Sequence, residues 1–116
     1  MIKKITIIGV GLIGGSLAKA IKKNNLAEVV FGFGRNLSRL ESAQKSNIID
    51  QHSIDISEAL DGASIVVIAT PVGTFESILR ELKPYITEGM IITDVGSTKT
   101  GIAKSAREIL VEMASC

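Results

Sequence analysis

A glycine-rich segment near the start of the chain has the residue types needed to hold a phosphate group. Residues 9–14 read Gly-Val-Gly-Leu-Ile-Gly, the pattern G-x-G-x-x-G. The segment directly follows the short β-branched run 5–8 and opens a stretch with helical spacing at 12–23. A strand before the glycines and a helix after them is the context that this pattern requires. The segment therefore predicts a dinucleotide site, with a structural turn that binds no ligand as the alternative.

Each glycine of this loop has a mechanical role in such a site. Gly9 permits the tight turn out of the strand, Gly11 lets the backbone approach a pyrophosphate, and Gly14 lets the helix pack close to the sheet. Free N–H groups at the positive end of the helix dipole then hold the phosphates. The expected cofactor contacts of the loop are Gly9, Gly11, Leu12, Ile13 and Gly14.

A second loop indicates which dinucleotide is bound. Folds that bind NAD usually carry Asp or Glu about 20 residues beyond the glycine loop, where the carboxylate bonds to the ribose hydroxyls. Here the strand predicted over 28–33 ends at Gly34-Arg35-Asn36, with no acid at its end. Arg35 can pair with a ribose 2′-phosphate, and Asn36 and Ser38 can add hydrogen bonds. The sequence favours NADP over NAD; the alternative is that Arg35 is a solvated surface charge.

Two more loops follow predicted strands. Thr70-Pro71-Val72 comes after the apolar strand 64–69, where the proline either presents a flat apolar edge to a cofactor or starts the next helix. Residues 93–100 follow the strand 90–93 and are rich in small hydroxyl side chains and glycine, which suits a nicotinamide or substrate contact. A helix N-cap at Thr98 or Thr100 is the alternative for that loop.

Alternating strands and helices position these loops. Strands are predicted over 5–8, 28–33, 48–49, 64–69 and 90–93, and helices over 12–23, 37–45, 57–60, 74–82 and 100–113, with Asn36 as an N-cap. This alternation predicts βαβ units with right-handed crossovers. We expect a single domain over 1–116, a Rossmann-type doubly wound parallel α/β sheet with helices on both faces. Ligands bind such sheets at the carboxyl ends of the strands, where the strand order reverses.

Composition excludes several other classes of function. The 116 residues carry a net charge of +1 and 3% aromatics, which is unlike a nucleic-acid-binding protein. One cysteine and one histidine, His52, leave no Cys-based zinc site and few ways to build a His-rich catalytic or metal centre. His52 has no partner at motif spacing, so we interpret it as a surface residue. Because no uninterrupted apolar run is long enough to span a membrane, the sequence predicts a cytoplasmic protein.

These segments together resemble one enzyme family. Residues 9–18 (Gly-Val-Gly-Leu-Ile-Gly-Gly-Ser-Leu-Ala), Thr70-Pro71-Val72 and 93–99 (Thr-Asp-Val-Gly-Ser-Thr-Lys) look like the nucleotide-binding domain of the prephenate/arogenate dehydrogenases of tyrosine biosynthesis. The Gly-Gly-Ser-Leu-Ala extension and the Asp-Val-Gly-Ser-x-Lys segment are more specific than the glycine loop. The resemblance runs from about residue 5 to about residue 110.

The resemblance implies an oxidative decarboxylation with hydride transfer to the nicotinamide. Prephenate would give 4-hydroxyphenylpyruvate, or arogenate would give tyrosine. Ser97 would be the catalytic serine that hydrogen-bonds near the substrate hydroxyl, and the full-length enzyme would be a homodimer. The implied cofactor contacts outside the glycine loop are Gly34, Arg35, Asn36, Ser38, Thr70, Pro71, Val72, Asp94 and Gly96.

The sequence also departs from the family pattern. The family's catalytic histidine lies in a Gly-His-Pro motif that these residues lack, and His52 does not match it. We also expect these residues to lack the helical domain that binds substrate and forms most of the dimer in the family. We therefore expect the cofactor half of the enzyme, which binds NADP but turns over no substrate. The alternatives are a catalytically silent NADP-binding or sensing module and the nucleotide domain of another β-hydroxyacid- or imine-type reductase.

Overall fold

Five parallel strands form one sheet in the computed structural model, which describes residues 2–70 and 75–94. A helix follows each of the first four strands. The elements are β1 (Ile2–Ile8), α1 (Leu12–Lys23), β2 (Ala27–Phe33), α2 (Leu37–Lys45), β3 (Gln51–Ser53), α3 (Ile56–Leu60), β4 (Ile65–Ile68), α4 (Phe75–Leu82), a 3-10 turn (Lys83–Tyr85) and β5 (Ile91–Asp94).

The strand order is β3-β2-β1-β4-β5, so the chain reverses its direction of growth beside β1. The register aligns the carboxyl ends of the central strands, because Ile8 lies opposite Phe33 on one side and Ile68 on the other. The loops after β1, β2 and β4 therefore share one edge of the sheet. This is the edge at which doubly wound folds bind ligands.

The core consists of two apolar layers, one on each face of the sheet. Alternate residues of a strand point to opposite faces, and in β1 this places Ile7 in one layer and Ile8 in the other. The first layer packs against α1 and α2 through Leu17, Ile21 and Leu40. The second packs against α3 and α4 and includes Leu60, Ile78 and Leu82. The predicted doubly wound fold with helices on both faces is confirmed.

Most predicted elements lie within a few residues of the observed ones, but the third strand is wrong. Ile48 and Ile49 both donate their backbone N–H to the carbonyl of Ala43, at the end of α2. Asn47, with φ of 60°, turns the chain out of the helix, and Ile49 is buried in the core instead of lying in the sheet. The strand forms later, at Gln51–Ser53. The helix predicted over 100–113 lies outside the described residues.

Asp50 connects β2 to the segment that leads into β3. Its Oδ2 accepts a hydrogen bond from the backbone N–H of Val30 at 2.8 Å, and its Oδ1 lies 2.9 Å from Lys22 Nζ on α1. Partial burial opposes ionisation of this carboxyl group. The hydrogen bonds from Lys22 and Val30, together with the lysine charge, outweigh it and lower the pKa of Asp50.

No helix within 2–70 and 75–94 combines the length and the apolar character that a bilayer crossing requires.

Candidate functional site

The turn after β1 accepts only glycine at its first position. Gly9 has φ of +89°, in the left-handed region, and its N–H donates to the carbonyl of Phe33 at 2.8 Å. A Cβ at this position would lie 2.8 Å from Cγ2 of Thr70. Both the backbone conformation and the close approach of the β4 loop therefore require Gly9. The hydrogen bond from Gly9 to Phe33 also connects the carboxyl ends of β1 and β2.

The other two glycines of the motif differ in what surrounds them. A Cβ on Gly14 would lie 2.4 Å from the carbonyl oxygen of Gly9 and 3.2 Å from Cγ2 of Ile7. Gly14 therefore allows α1 to pack against the turn and the sheet. A Cβ on Gly11 would meet no described atom within 4 Å. Packing among the described residues does not explain Gly11, whereas a ligand in that open space would.

The start of α1 offers its backbone donors to a ligand. Gly11 is the N-cap and gives no side-chain cap, and the first turn of the helix holds no acidic residue. The first N–H groups of an α-helix have no intrahelical acceptor, and the helix dipole is positive at this end. An anion fits this position. Lys22 and Lys23 occupy the opposite, C-terminal turn, where cations complement the dipole.

A cleft lies beside this turn, between the glycine loop and the start of α2; we call it the glycine-loop cleft. The loops after β1, β2 and β4 all contribute to it. Two arginines and no acidic residue are among the described residues that line it, which are Gly9, Val10, Gly11, Gly34, Arg35, Asn36, Arg39, Leu40, Ala69 and Thr70. The predicted loops after β1, β2 and β4 therefore meet at one edge of the sheet, and the loop predicted at 93–100 extends beyond the described residues.

Arg35 follows β2, and its side chain is 81% exposed. Arg39 lies four residues further along, in the first turn of α2, and lines the same cleft. Sequence analysis named Arg35 but not Arg39. Arg35 precedes the N-cap Asn36 and is not helical, so helical spacing gives no signal for Arg39; the first turn of α2 brings Arg39 to the cleft.

The polar residues around Arg35 are placed differently from one another. Asn36 caps α2, and its Oδ1 accepts a hydrogen bond from the N–H of Arg39 at 3.1 Å. The predicted N-cap is therefore confirmed, and the amide of Asn36 keeps its Nδ2 donors for a ligand. Gly34 lines the cleft and packs near Leu40. Ser38 is exposed in the first turn of α2 and is not among the residues that line the cleft.

A second cleft opens between β2 and α4, and we call it the α4 cleft. Its lining is Ile8, Gly9, Phe33, Gly34, Arg35, Thr70, Ser77 and Ile78. Thr70 lines both clefts, and its Oγ1 is buried without a hydrogen-bond partner among the described residues. A buried hydroxyl without a partner is destabilising. A ligand that spans the two clefts would supply the partner.

Several predicted site residues lie outside the described part of the structure. They are Pro71, Val72, Gly96 and Ser97, together with the side chains of Leu12, Ile13 and Asp94. His52 lies on β3, where it is partly buried and its Nδ1 hydrogen-bonds Oε1 of Gln44. It does not line either cleft. Within 2–70 and 75–94 no group of three His, Cys, Asp or Glu residues is arranged to hold a metal ion.

Comparison with known proteins identifies the family. The family model described as "Prephenate dehydrogenase, nucleotide-binding domain" matches residues 17–115. A prephenate dehydrogenase from Lactococcus lactis is 36% identical over 109 residues, which cover 92% of this chain and 30% of that protein. The chain therefore spans about a third of the length of this relative.

Solved structures agree with this assignment. The arogenate dehydrogenase of Synechocystis superposes with a TM-score of 0.76 and 33% identity, over 91% of this chain and 37% of that one. Prephenate dehydrogenase from Aquifex aeolicus, solved with hydroxyphenyl propionate and NAD+, gives a TM-score of 0.78 and 29% identity, over 84% and 35% of the two chains. This 116-residue chain belongs to the prephenate dehydrogenase family and is its nucleotide-binding domain.

Proposed function

We propose that the chain binds NADP as the cofactor half of a prephenate or arogenate dehydrogenase. One observation carries the choice of cofactor. The glycine-loop cleft brings Arg35 and Arg39 to the end of β2, and no carboxylate is among the described residues that line it. A 2′-phosphate would meet two guanidinium groups there, which bind phosphate through charge-assisted hydrogen bonds.

The described lining of the glycine-loop cleft lacks the feature that usually favours NAD over NADP. NAD-binding folds use an acidic residue at the end of this strand to accept hydrogen bonds from the ribose hydroxyls. Gly34, Arg35 and Asn36 occupy that place, so the ribose would lose its usual acceptor. The Aquifex aeolicus relative was solved with NAD+, so membership of the family is compatible with either dinucleotide.

The pyrophosphate would lie at the start of α1. Uncapped N–H groups and open space at Gly11 support this placement. The buried hydroxyl of Thr70 would then hydrogen-bond the bound dinucleotide where the two clefts meet. The resemblance adds proposed cofactor contacts outside the described residues, at Pro71, Val72, Asp94 and Gly96, and a catalytic role for Ser97.

The reaction of the whole enzyme is proposed from the family. NADP, when bound, supplies the hydride acceptor. Hydride would pass from the ring carbon that bears the hydroxyl to the nicotinamide, as the hydroxyl proton passes to the catalytic histidine that the resemblance implies. The electron pair of the bond to the carboxylate would enter the ring as carbon dioxide leaves, and the ring oxygen would take a proton back. Loss of carbon dioxide aromatises the ring, so prephenate gives 4-hydroxyphenylpyruvate and arogenate gives tyrosine. We also propose a cytoplasmic enzyme that is a homodimer at full length.

The chain by itself is expected to bind cofactor without turning over substrate. Its one histidine, His52, hydrogen-bonds Gln44 on the sheet edge and does not line the clefts. A proton acceptor must lie within hydrogen-bond reach of the substrate hydroxyl. Production of NADPH by the purified chain, dependent on prephenate or arogenate, would contradict this expectation.

Substitution of the two arginines tests the choice of cofactor. Arg35→Ala and Arg39→Ala should each weaken NADP binding about tenfold, since one charge-assisted hydrogen bond contributes about 1.5 kcal/mol. NAD binding should change by less than about threefold, because NAD lacks the phosphate. Lys23→Ala is the matched control: it removes the same charge from the far end of α1 and should change neither affinity. Equal weakening of NADP and NAD by Arg35→Ala would contradict the proposal.

A further inference from the structure

Arg35 has an acidic neighbour on the side away from the glycine loop. Its Nη2 lies 3.5 Å from Oε2 of Glu81, on α4. The two residues line a third cleft, between α3 and α4, on the far side of Arg35 from Arg39. Arg35 thus lies between an acceptor that belongs to the protein and the place proposed for the 2′-phosphate.

We propose that Glu81 is a specificity-determining residue that competes with the 2′-phosphate for Arg35. This inference rests on the proposed function. When NAD is bound, the pair of Arg35 and Glu81 can persist, because NAD offers Arg35 no phosphate at that place. When NADP is bound, Arg35 must leave Glu81 for the phosphate. Glu81 therefore lowers the affinity for NADP and leaves that for NAD unchanged.

The geometry of the pair fits an exchangeable contact. The side chains of Arg35 and Glu81 are 81% and 44% exposed, and one nitrogen-oxygen distance joins them. Exposed pairs of this kind are weak, so a dianionic phosphate can replace the carboxylate. Release of the pair reduces the gain from phosphate binding by a similar amount. We expect the competition to change NADP affinity about two- to fivefold.

Removal of the carboxylate tests the competition. Glu81→Gln should lower the Kd for NADP about two- to fivefold and change the Kd for NAD by less than about 1.5-fold, in calorimetric titrations of the full chain at low salt. Glu28→Gln is the matched control. Glu28 is an exposed glutamate near the amino end of β2, at the opposite edge of the sheet, and its substitution should change neither Kd.

A second background distinguishes competition from simple repulsion between Glu81 and the phosphate. In Arg35→Gln, the additional Glu81→Gln change should no longer tighten NADP binding. The inference would be overturned if Glu81→Gln still tightened NADP binding in the Arg35→Gln background. It would also be overturned if Glu81→Gln tightened NAD binding equally, or if it did not tighten NADP binding in the wild-type background.

The outcomes also separate this inference from the proposed function. A wild-type chain that prefers NAD while Glu81→Gln still tightens NADP through Arg35 would overturn the preference and support the competition. A wild-type chain that prefers NADP, with a Kd for NADP that Glu81→Gln leaves unchanged, would support the preference and overturn the competition. A folded wild-type chain that binds no NADP would overturn both.

Discussion

Gly14 and Gly15 are neighbours in α1 whose replacement by alanine should have opposite effects on stability. A Cβ on Gly14 would lie 2.4 Å from the carbonyl oxygen of Gly9, a separation that must widen by more than half an ångström. A Cβ on Gly15 would meet no described atom within 4 Å. Both positions are helical, so both substitutions gain the same helix propensity of about 1 kcal/mol.

The clash decides the sign of the effect at Gly14. Overpacking against atoms that cannot move away costs typically about 1–3 kcal/mol, and the upper half applies here because the contact is backbone. After the propensity gain, Gly14→Ala should lower the free energy of unfolding by about 1–2 kcal/mol. Gly15→Ala should raise it by up to about 1 kcal/mol. Each kcal/mol shifts Tm by about 4 °C in a domain of this size, so the two variants should differ by about 4–12 °C.

Circular dichroism at 222 nm during thermal and urea unfolding is the suitable assay, because the chain has no tryptophan and one tyrosine. Gly14→Ala should also weaken the binding of NADP and of NAD by similar factors, because the Gly9 carbonyl that it displaces belongs to the turn proposed to hold the phosphates. Equal stability of the two variants would refute the view that Gly14 is required for close packing. So would a Gly14→Ala chain that is as stable as wild type.

Substitutions of Gly11, Thr70 and Asp50 test three other contacts of the structure. Gly11→Ala should change Tm by less than about 2 °C, because its Cβ would meet open space. It should nevertheless weaken the binding of both NADP and NAD at least about tenfold in calorimetric titrations. An unchanged affinity would contradict the placement of the pyrophosphate at the start of α1. Thr70→Val removes a buried hydroxyl that has no partner among the described residues, so it should stabilise the chain by up to about 1 kcal/mol in urea unfolding. It should also weaken the binding of both dinucleotides, because a bound ligand would have supplied the missing partner. Asp50→Asn should cost about 0.5–1 kcal/mol at pH 7, a value reduced for solvent screening. Because folding lowers the pKa of Asp50 below its ordinary 3.8, this contribution is present above pH 3.8 and is lost as the pH falls through the lower folded pKa. A cost that does not decrease as the pH is lowered below 3.8 would contradict it.

The sequence was sufficient to predict the fold because its local patterns agree with one another. Apolar β-branched runs ending at glycine, such as the one before Gly9, mark buried parallel strands, and Asn36 marks the start of α2. The strand at Gln51–Ser53 escaped prediction because it is three polar residues at the sheet edge, whereas apolar Ile48 and Ile49 belong to the helix end and the core. Hydrophobicity there reports burial and not strand formation.

The site was predictable in part. The glycine motif predicted the turn after β1, whereas the choice of NADP from the identity of residue 35 stays a prediction. The roles of Arg39 and Glu81 depend on how α2 and α4 pack around the end of β2, and the sequence contains no local signal for the contact between Arg35 and Glu81. Residues 46 positions apart meet there only through the tertiary fold.

Parallel calorimetric titrations of the wild-type chain with NADP and with NAD test the central claim most directly. We predict that both dinucleotides bind one site and that NADP binds more tightly, with a preference that decreases as salt screens the contacts of Arg35 and Arg39. Tighter binding of NAD, at every salt concentration, would contradict the assignment of the glycine-loop cleft to a 2′-phosphate.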